Sequence, residues 1–483
     1  MSYLGIDFGT SGLRALLVDE DGAPLASAEK HYAARHPHPG WSEQDPADWI
    51  AAIDAALDDL ARKTPDFADV RGIGVSGHMH GAVLLDAQGK VLRPCILWND
   101  TRSSAQAARL DGLEGMRETS GNIVFPGFTA PKLEWVRTHE PELFDRTAKV
   151  LLPAAYVNFY LTGHYVADMS DASGTSWLDV QARDWSDELL TMGGMRRDQM
   201  PDLAEGTEPV GQLREALAQR WGLSGKVVVA AGAGDNAAAA CGIGAIAEGQ
   251  GFVSLGTSGV LLGAREGCHP RPDAGLHTFC HAVPGRWVQA GVTLSATDSV
   301  NWLSRITGQS PAQMTGALGD VLRPPGQPCF LPYLSGERTP HNDAHIRASL
   351  TGLSMATGPE ELTQAVLEGV AFSLRDALQS LKAAGAGFET LFAIGGGAAS
   401  HYWLALIATV LDIPLAKPEG GEFGAALGAA RLGQSAASGG DPLALMTPPK
   451  IGQIFAPERS LTAAFDTAYE KYRATYPAIK SVQ

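Results

Sequence analysis

Two short stretches share one pattern: an apolar run, a Gly-Thr-Ser-Gly step, and a second apolar run. The first is Ile6-Asp7-Phe8-Gly9-Thr10-Ser11-Gly12-Leu13-Arg14-Ala15-Leu16-Leu17, and the second is Val253-Ser254-Leu255-Gly256-Thr257-Ser258-Gly259-Val260-Leu261-Leu262. Two apolar runs joined by a tight glycine turn predict a β-hairpin in each place. Gly9 and Gly256 stand 247 residues apart in a chain of 483, so the repeat predicts two related domains with these turns facing each other. The boundary is expected between Gly244 and Gly251, giving domains 1–246 and 247–483. Between the hairpins strand-like and helix-like segments alternate: Val227–Ala231 precedes the Ala-rich Ala237–Cys241, and Leu391–Ile394 precedes Tyr402–Leu411. This alternation predicts an α/β fold with helices covering the sheets. Leu362, Ala365, Val366, Gly369 and Val370 recur at helical spacing, predicting a helix over 360–384 that begins just after Pro359 and stops before Gly385.

Composition narrows the class. Apolar residues make up 45% and charged residues 19%, ample for packed cores and unlike a disordered chain. Lys and Arg number 37 against 53 Asp and Glu, a net charge of −16 that argues against a basic nucleic-acid-binding face. The five cysteines are odd in number and hold no C-x-x-C pair, so a reducing cytosol fits better than a disulfide framework. A strand-like run already begins at Tyr3, which speaks against a signal peptide, and Asp235 and Asn236 interrupt the one stretch resembling a membrane span, Val227–Ala247. The expectation is a cytoplasmic protein with neither nucleic-acid nor membrane partners; a homodimer stays open.

The hairpin turns can offer backbone N–H groups and a hydroxyl to phosphate oxygens. The two copies differ: Asp7 precedes the first turn where Ser254 stands before the second. A carboxylate at one turn only suits Mg²⁺ bound together with nucleotide phosphates, or else simply stabilises the turn. Gly232-Ala233-Gly234-Asp235-Asn236 puts Asp235 at a strand's end and a helix's start, where it suits either a helix cap or a base toward a hydroxyl nucleophile. Gly395-Gly396-Gly397 repeats the strand, glycine, helix grammar and allows close approach of a nucleotide, or plain backbone economy. His78-Met79-His80 is expected to place two imidazoles on one side of an extended strand, without a third zinc ligand. Cys268-His269, His277 and Cys280-His281 read as reduced cysteines and polar strand histidines. Trp98-Asn99-Asp100 with Arg102 suits a sugar pocket or an ordinary loop.

Longer motifs carry a resemblance. Gly127-Phe128-Thr129-Ala130-Pro131-Lys132-Leu133-Glu134-Trp135-Val136 and the stretch Ala348–Glu368 are similar to the two signatures of the FGGY carbohydrate kinases. Trp41–Pro46, His78–Gly81, Ile96–Asp100, Asp168–Ala172 and Leu331–His341 resemble the branch acting on D-xylulose, and the likeness covers nearly the whole chain. It implies two actin-like (ribonuclease-H-like) domains around a central cleft, with sugar held mainly by the first and ATP by the second. By position it implies Asp235 as base toward the sugar hydroxyl, Asn236, Met79 and His80 as sugar contacts, and Asp7 as the Mg²⁺-associated acid. Thr10, Gly256, Thr257, Gly395, Gly396 and Gly397 match nucleotide-contacting positions. The implied reaction is ATP-dependent phosphorylation of D-xylulose to D-xylulose 5-phosphate. Ribulose, a pentitol or glycerol are the alternative acceptors, and an actin- or chaperone-like ATPase is the rival class. The chain departs from the family's usual residues at His78, where Gln is common, at Ala399, where a basic residue is common, and at Ala405 and Thr409, where Gln and Asp are usual.

Overall fold

The computed structural model of this chain describes residues 1–419 and 424–483. Among the described residues, the first large sheet comprises β1 (Ser2–Phe8), β2 (Gly12–Asp19), β3 (Pro24–His31), β4 (Val70–Gly77), β5 (Pro209–Gln212), β6 (Val228–Ala230) and β7 (Ala233–Gly234). Its order is β5-β6-β4-β1-β2-β3, with β7 beside β4. Strands β1, β2 and β3 form an antiparallel meander, and β4 and β6 continue from β1 in parallel. The second sheet comprises β8 (Gly251–Leu255), β9 (Gly259–Arg265), β10 (His277–Cys280), β11 (Trp287–Thr293), β12 (Leu391–Ile394), β13 (Leu415–Pro418) and β14 (Ile451–Phe455). Its order, β10-β11-β9-β8-β12-β13-β14, repeats the meander and the parallel extension. The repeated Gly-Thr-Ser-Gly steps are the β1–β2 and β8–β9 turns, and the two sheets carry the expected actin-like, ribonuclease-H-like topology.

Burial follows sequence. Strand β4 is buried along nearly its whole length because helices cover both faces, whereas β3, Pro-Leu-Ala-Ser-Ala-Glu-Lys-His, alternates at the sheet edge, with Glu29 exposed and Lys30 on the other face paired with Asp59 at 2.6 Å. In the first half, helix α1 (Pro46–Lys63) begins at an Asp45 cap and a first-turn proline, and buries Trp49, Ile53, Leu57 and Leu60 at helical spacing. Helices α2 (Thr129–His139), α3 (Met169–Ala172) and α4 (Asp235–Ile243) follow. In the second half, α5 (Pro359–Ala383) is the helix expected over 360–384 and runs through the core; α6 (His401–Leu411) and α7 (Gly424–Ser438) come after it.

Although α7 lies late in the chain, it packs on the first sheet. A β-carbon added at Gly74 of β4 would lie 1.9 Å from the Ala429 carbonyl oxygen. Where α7 crosses α4, one at Gly428 would lie 1.8 Å from the Ala238 oxygen and one at Gly242 1.8 Å from the Gly424 oxygen. Only glycine permits this backbone-to-backbone crossing. The halves also meet through the Asn122 amide, which donates to the Thr278 carbonyl at 2.8 Å and accepts from its N–H at 3.0 Å. Among the described residues no helix is long and apolar enough to cross a membrane.

Candidate active site

Between the sheets lies a cleft of about 370 Å³, lined by Met79, His80, Asp235 and Asn236 from the first half and by Gly256 and Thr257 from the second. Strand β7, paired in parallel with β4, ends at Gly234, and α4 starts at once with Asp235. Gly234 occupies the N-cap position and Asp235 is the first helical residue, so Asp235 is not the cap that the sequence left open. The Gly234 N–H donates to Ser170 Oγ at 3.1 Å, and that hydroxyl donates to Asp168, the cap of α3. Asp235 is held in turn by Asn236, whose backbone N–H and Nδ2 donate to Oδ1 at 2.7 and 2.9 Å. Burial lifts the Asp235 carboxyl to about 6 against those two bonds, leaving it an anion at neutral pH with appreciable basicity.

Asp7 sits near the end of β1, opposite Arg14 of β2 and Ser76 of β4. Ser76 Oγ donates to Asp7 Oδ1 at 2.9 Å. Burial raises the Asp7 carboxyl to about 7; Ser76 opposes this, and the negative charge of Asp235 adds to it. The two carboxylates therefore feel one another across the end of the first sheet. Thr10, on the same turn, accepts from Trp98 Nε1 at 3.0 Å and reaches the cleft through that ring, which lines it.

The extended-strand expectation for His78-Met79-His80 is corrected. Strand β4 ends at Gly77, and His80 has a left-handed backbone, φ 68°, which breaks the alternation of side chains. The two imidazoles consequently part company. His78 turns into the core against Phe8 and Trp49, with ring centroids 5.5 and 5.3 Å away. His80 faces the cleft, stacked on Phe128 at 4.5 Å, with Nδ1 2.8 Å from the Gly174 carbonyl oxygen. A carbonyl only accepts, so Nδ1 carries the proton and Nε2 is left as an acceptor. Burial drives the His80 pKa down to about 3, so the ring is neutral. Met79 is buried against Gly234, where a β-carbon would come within 2.7 Å of its Cγ.

On the opposite wall, the carbonyls of Gly256 and Thr257 accept from the N–H groups of Thr297 and Ala296 at 2.9 and 2.8 Å. Ser254 lines both the first cleft and a second space of about 890 Å³, which Arg14, Gly395, Gly396 and Lys417 also line. Gly396 in turn lines a third, of about 610 Å³, together with Gly397, Asn301 and Tyr402. The three glycines are not equivalent. Gly395 has φ 86°, and a β-carbon at Gly397 would lie 2.7 Å from Leu255 Cβ, whereas one at Gly396 would meet nothing within 4 Å. Gly396 thus leaves the space open. Of the departures from the family pattern, Ala399 lines both outer spaces. Thr409 faces inward, its hydroxyl donating to the Ala405 carbonyl at 2.8 Å and accepting from the Glu458 N–H at 3.0 Å.

The cysteine and histidine cluster does not converge: His281 Nε2 lies 3.1 Å from the Ala245 oxygen, and His277 Nε2 lies 3.1 Å from Arg338 Nη1. Among the described residues, no three His, Cys, Asp or Glu side chains come together as a metal cage. In the Trp98 loop, Trp98 lines the cleft, while Asp100 and Arg102 form a buried pair at 2.7 Å with the guanidinium 3.6 Å above Trp41. Sequence reasoning gave no role to Ser170, Phe279 or Arg338, all of which line the cleft. Arg338 lies 4.1 Å over Phe125, joining the halves. Asp171, beside Ser170 on α3, is also buried; burial and the charges of Asp168 and Asp235 hold its carboxyl well above the usual range.

Known proteins resemble this chain in sequence and fold. The chain matches the FGGY family of carbohydrate kinases, N-terminal domain, over residues 2–242 and the C-terminal domain of the same family over residues 251–437. It is 44% identical over 477 residues to a xylulose kinase of Escherichia coli K12, covering 98% of each chain. To a xylulose kinase of Klebsiella pneumoniae it is 43% identical over 481 residues, covering 99% of each. Among solved structures, a xyloylose kinase from Brucella ovis matches with a TM-score of 0.99 and 53% identity over 100% of both chains. A xylulose kinase from Rhodospirillum rubrum matches with a TM-score of 0.91 and 28% identity, covering 100% of this chain and 99% of that one. With both domain families matched in order and both sheets facing one cleft, this chain belongs to the FGGY family of carbohydrate kinases and is a phosphotransferase.

Proposed function

We propose that this chain transfers a phosphoryl group from ATP to D-xylulose, giving D-xylulose 5-phosphate, with Asp235 as general base. The observation that carries this reading is the placement of Asp235 in one cleft with the His80 imidazole on its own side and the Gly256-Thr257 turn on the other. The relatives named xylulose kinase, alike over nearly full length, support the choice of sugar. His80 Nε2 accepts from one sugar hydroxyl, and Asn236, whose Nδ2 is engaged by Asp235, offers its amide oxygen to another. The Asp235 carboxylate takes the proton of the attacking hydroxyl as its oxygen bonds phosphorus and ADP departs. Phosphoryl transfer passes through a loose transition state, so positioning and charge neutralisation weigh more than strong basicity.

The Gly256 and Thr257 carbonyls are tied to the start of the Thr297–Thr307 helix, so the turn's amide N–H groups are what it presents to phosphate oxygens. Thr10 belongs to the matching turn, and Gly395, Gly396 and Gly397 bound the spaces beyond for the remainder of the nucleotide. The residues present also fit Mg²⁺. Asp7 offers one carboxylate already oriented by Ser76, and such a cation takes one or two carboxylates together with substrate phosphates. Bound there, Mg²⁺ would neutralise phosphate charge. We place the domain division at 246/247, between the edges of the two family matches at 242 and 251, and the protein in the cytoplasm, where ATP and five free cysteines are at home. A coupled ADP-release assay across ketoses, pentitols and glycerol tests the reading. D-Xylulose should stimulate most in kcat/KM, and stronger stimulation by a pentitol or glycerol would overturn the assignment.

A further inference from the structure

His80 stands apart among the residues lining the cleft. Of the five described non-glycine residues with positive φ, it alone lines that space. The left-handed region crowds a β-carbon against the neighbouring carbonyl, so a histidine remains there only when its surroundings over-determine it. Besides the Gly174 carbonyl on Nδ1, those surroundings come largely from one helix. At the start of α2, Thr129 Oγ1 donates to the His80 carbonyl at 3.2 Å and Lys132 Nζ donates to the same oxygen at 2.7 Å. Three residues apart, the two donors share a helix face. Phe128, just before them, supplies the ring on which the imidazole stacks.

Lys132 is wholly buried, and among the described residues no carboxylate forms an ion pair with it. A buried ammonium without an ion-pair partner is expensive, and a core of the same volume would be served better by leucine or methionine. Burial lowers its pKa to about 7, yet ammonium and amine alike keep an N–H to give the carbonyl.

We propose that Lys132 and Thr129 are positioning residues: together they clamp the His80 carbonyl, hold that residue in its left-handed conformation, and so aim Nε2 at the sugar. Released from the clamp, the backbone relaxes toward negative φ and the ring leaves Phe128. This inference rests on His80 being a sugar contact, and one arm of its test does not.

The kinetic arm compares Lys132→Met and Thr129→Val, each in the native background and in His80→Gly, using whichever ketose the native enzyme phosphorylates. Lys132→Met should raise the sugar KM roughly 10- to 100-fold, the weight of a charged hydrogen bond, with the KM for ATP little changed. In the His80→Gly background the same substitution should add less than about threefold, because partners in one device are not additive. Thr129→Val should show the same pattern more weakly, and it carries the test should Lys132→Met fold poorly. Independent, multiplying effects of Lys132→Met and His80→Gly would overturn the clamp, as would a parallel loss for sugar and ATP.

The second arm needs no substrate. In protein carrying ¹³C-histidine, the His80 ring resonance, assigned by its loss in His80→Gly, should lie displaced by the Phe128 ring current. It should move toward the free-imidazole position in Lys132→Met, and an unmoved signal would sink the proposal. An enzyme inert toward every ketose would remove the pentulose reading and leave this arm standing.

Discussion

Asp235 and His80 line the same cleft, and burial shifts their pKa values in opposite directions while favouring the neutral form of each. The carboxyl rises to about 6 and the imidazole falls to about 3. A base must be deprotonated, so at saturating Mg²⁺, which would hold Asp7 ionised, kcat/KM should hold above about pH 6 and fall toward tenfold per unit below it as Asp235 takes up a proton. His80 remains neutral throughout that range, so His80→Gln should leave the acid limb where it is. A limb that moved with the substitution would show the assignment to be wrong. Asp235→Asn should lower turnover by about two to four orders of magnitude, with the fold intact because Asp235 is not the helix cap. Stopped-flow ADP release beside a thermal melt separates the two effects. At this scale the sequence made Asp235, Met79 and His80 legible through strand-turn-helix grammar and family wording. Arg338 was not legible, because its partners Phe125 and His277 reach it only through the tertiary fold.

The two hairpins are near-copies in backbone and differ where Asp7 of the first stands against the neutral Ser254 of the second. Asp7→Ala should raise the Mg²⁺ concentration needed for half-maximal rate, and Ser254→Ala at the matching place should scarcely move it. A Mg²⁺ titration of both variants checks this, with equal shifts counting against a one-sided metal role. The glycine turn before α6 makes a sharper division. Gly397→Ala drives a methyl against Leu255 and should destabilise by about 1 to 3 kcal/mol in urea unfolding. Gly396→Ala points into open space and should instead keep stability and raise the KM for ATP. Sequence periodicity anticipated α5 because burial on one face writes itself into spacing, and the apolar runs on either side of each glycine turn anticipated both hairpins. It misplaced His78 and His80 on one strand face because a single positive φ leaves no periodic trace.

The halves of the molecule meet on both sides of the cleft, since α7 packs on α4 and the first sheet beside the larger nucleotide space. Beside the sugar wall they are joined by Asn122 to the Thr278 backbone and by Arg338 over Phe125, while the nucleotide spaces lie farther along, bounded by Gly395–Gly397. Closure should bring the two walls of the cleft together, excluding water that competes with the sugar for the phosphoryl group. Small-angle scattering should show a smaller radius with saturating D-xylulose and a non-hydrolysable nucleotide; an unchanged radius would speak against closure. The internal echo revealed two related sheets, but gave no hint that α7 lies on the first of them. A Gly- and Ala-rich helix reads alike wherever it packs.

That late helix bears on how the protein is made. When the ribosome has released the first 246 residues, the sheet that will carry Asp7 and Asp235 has its strands but lacks α7, the cover for Gly74 and its neighbours. At about 5 to 20 residues per second, residues 424–438 follow roughly ten to forty seconds later. During that interval an apolar sheet face stays bare on a tethered chain, and the first half matures only after most of the second has been synthesised.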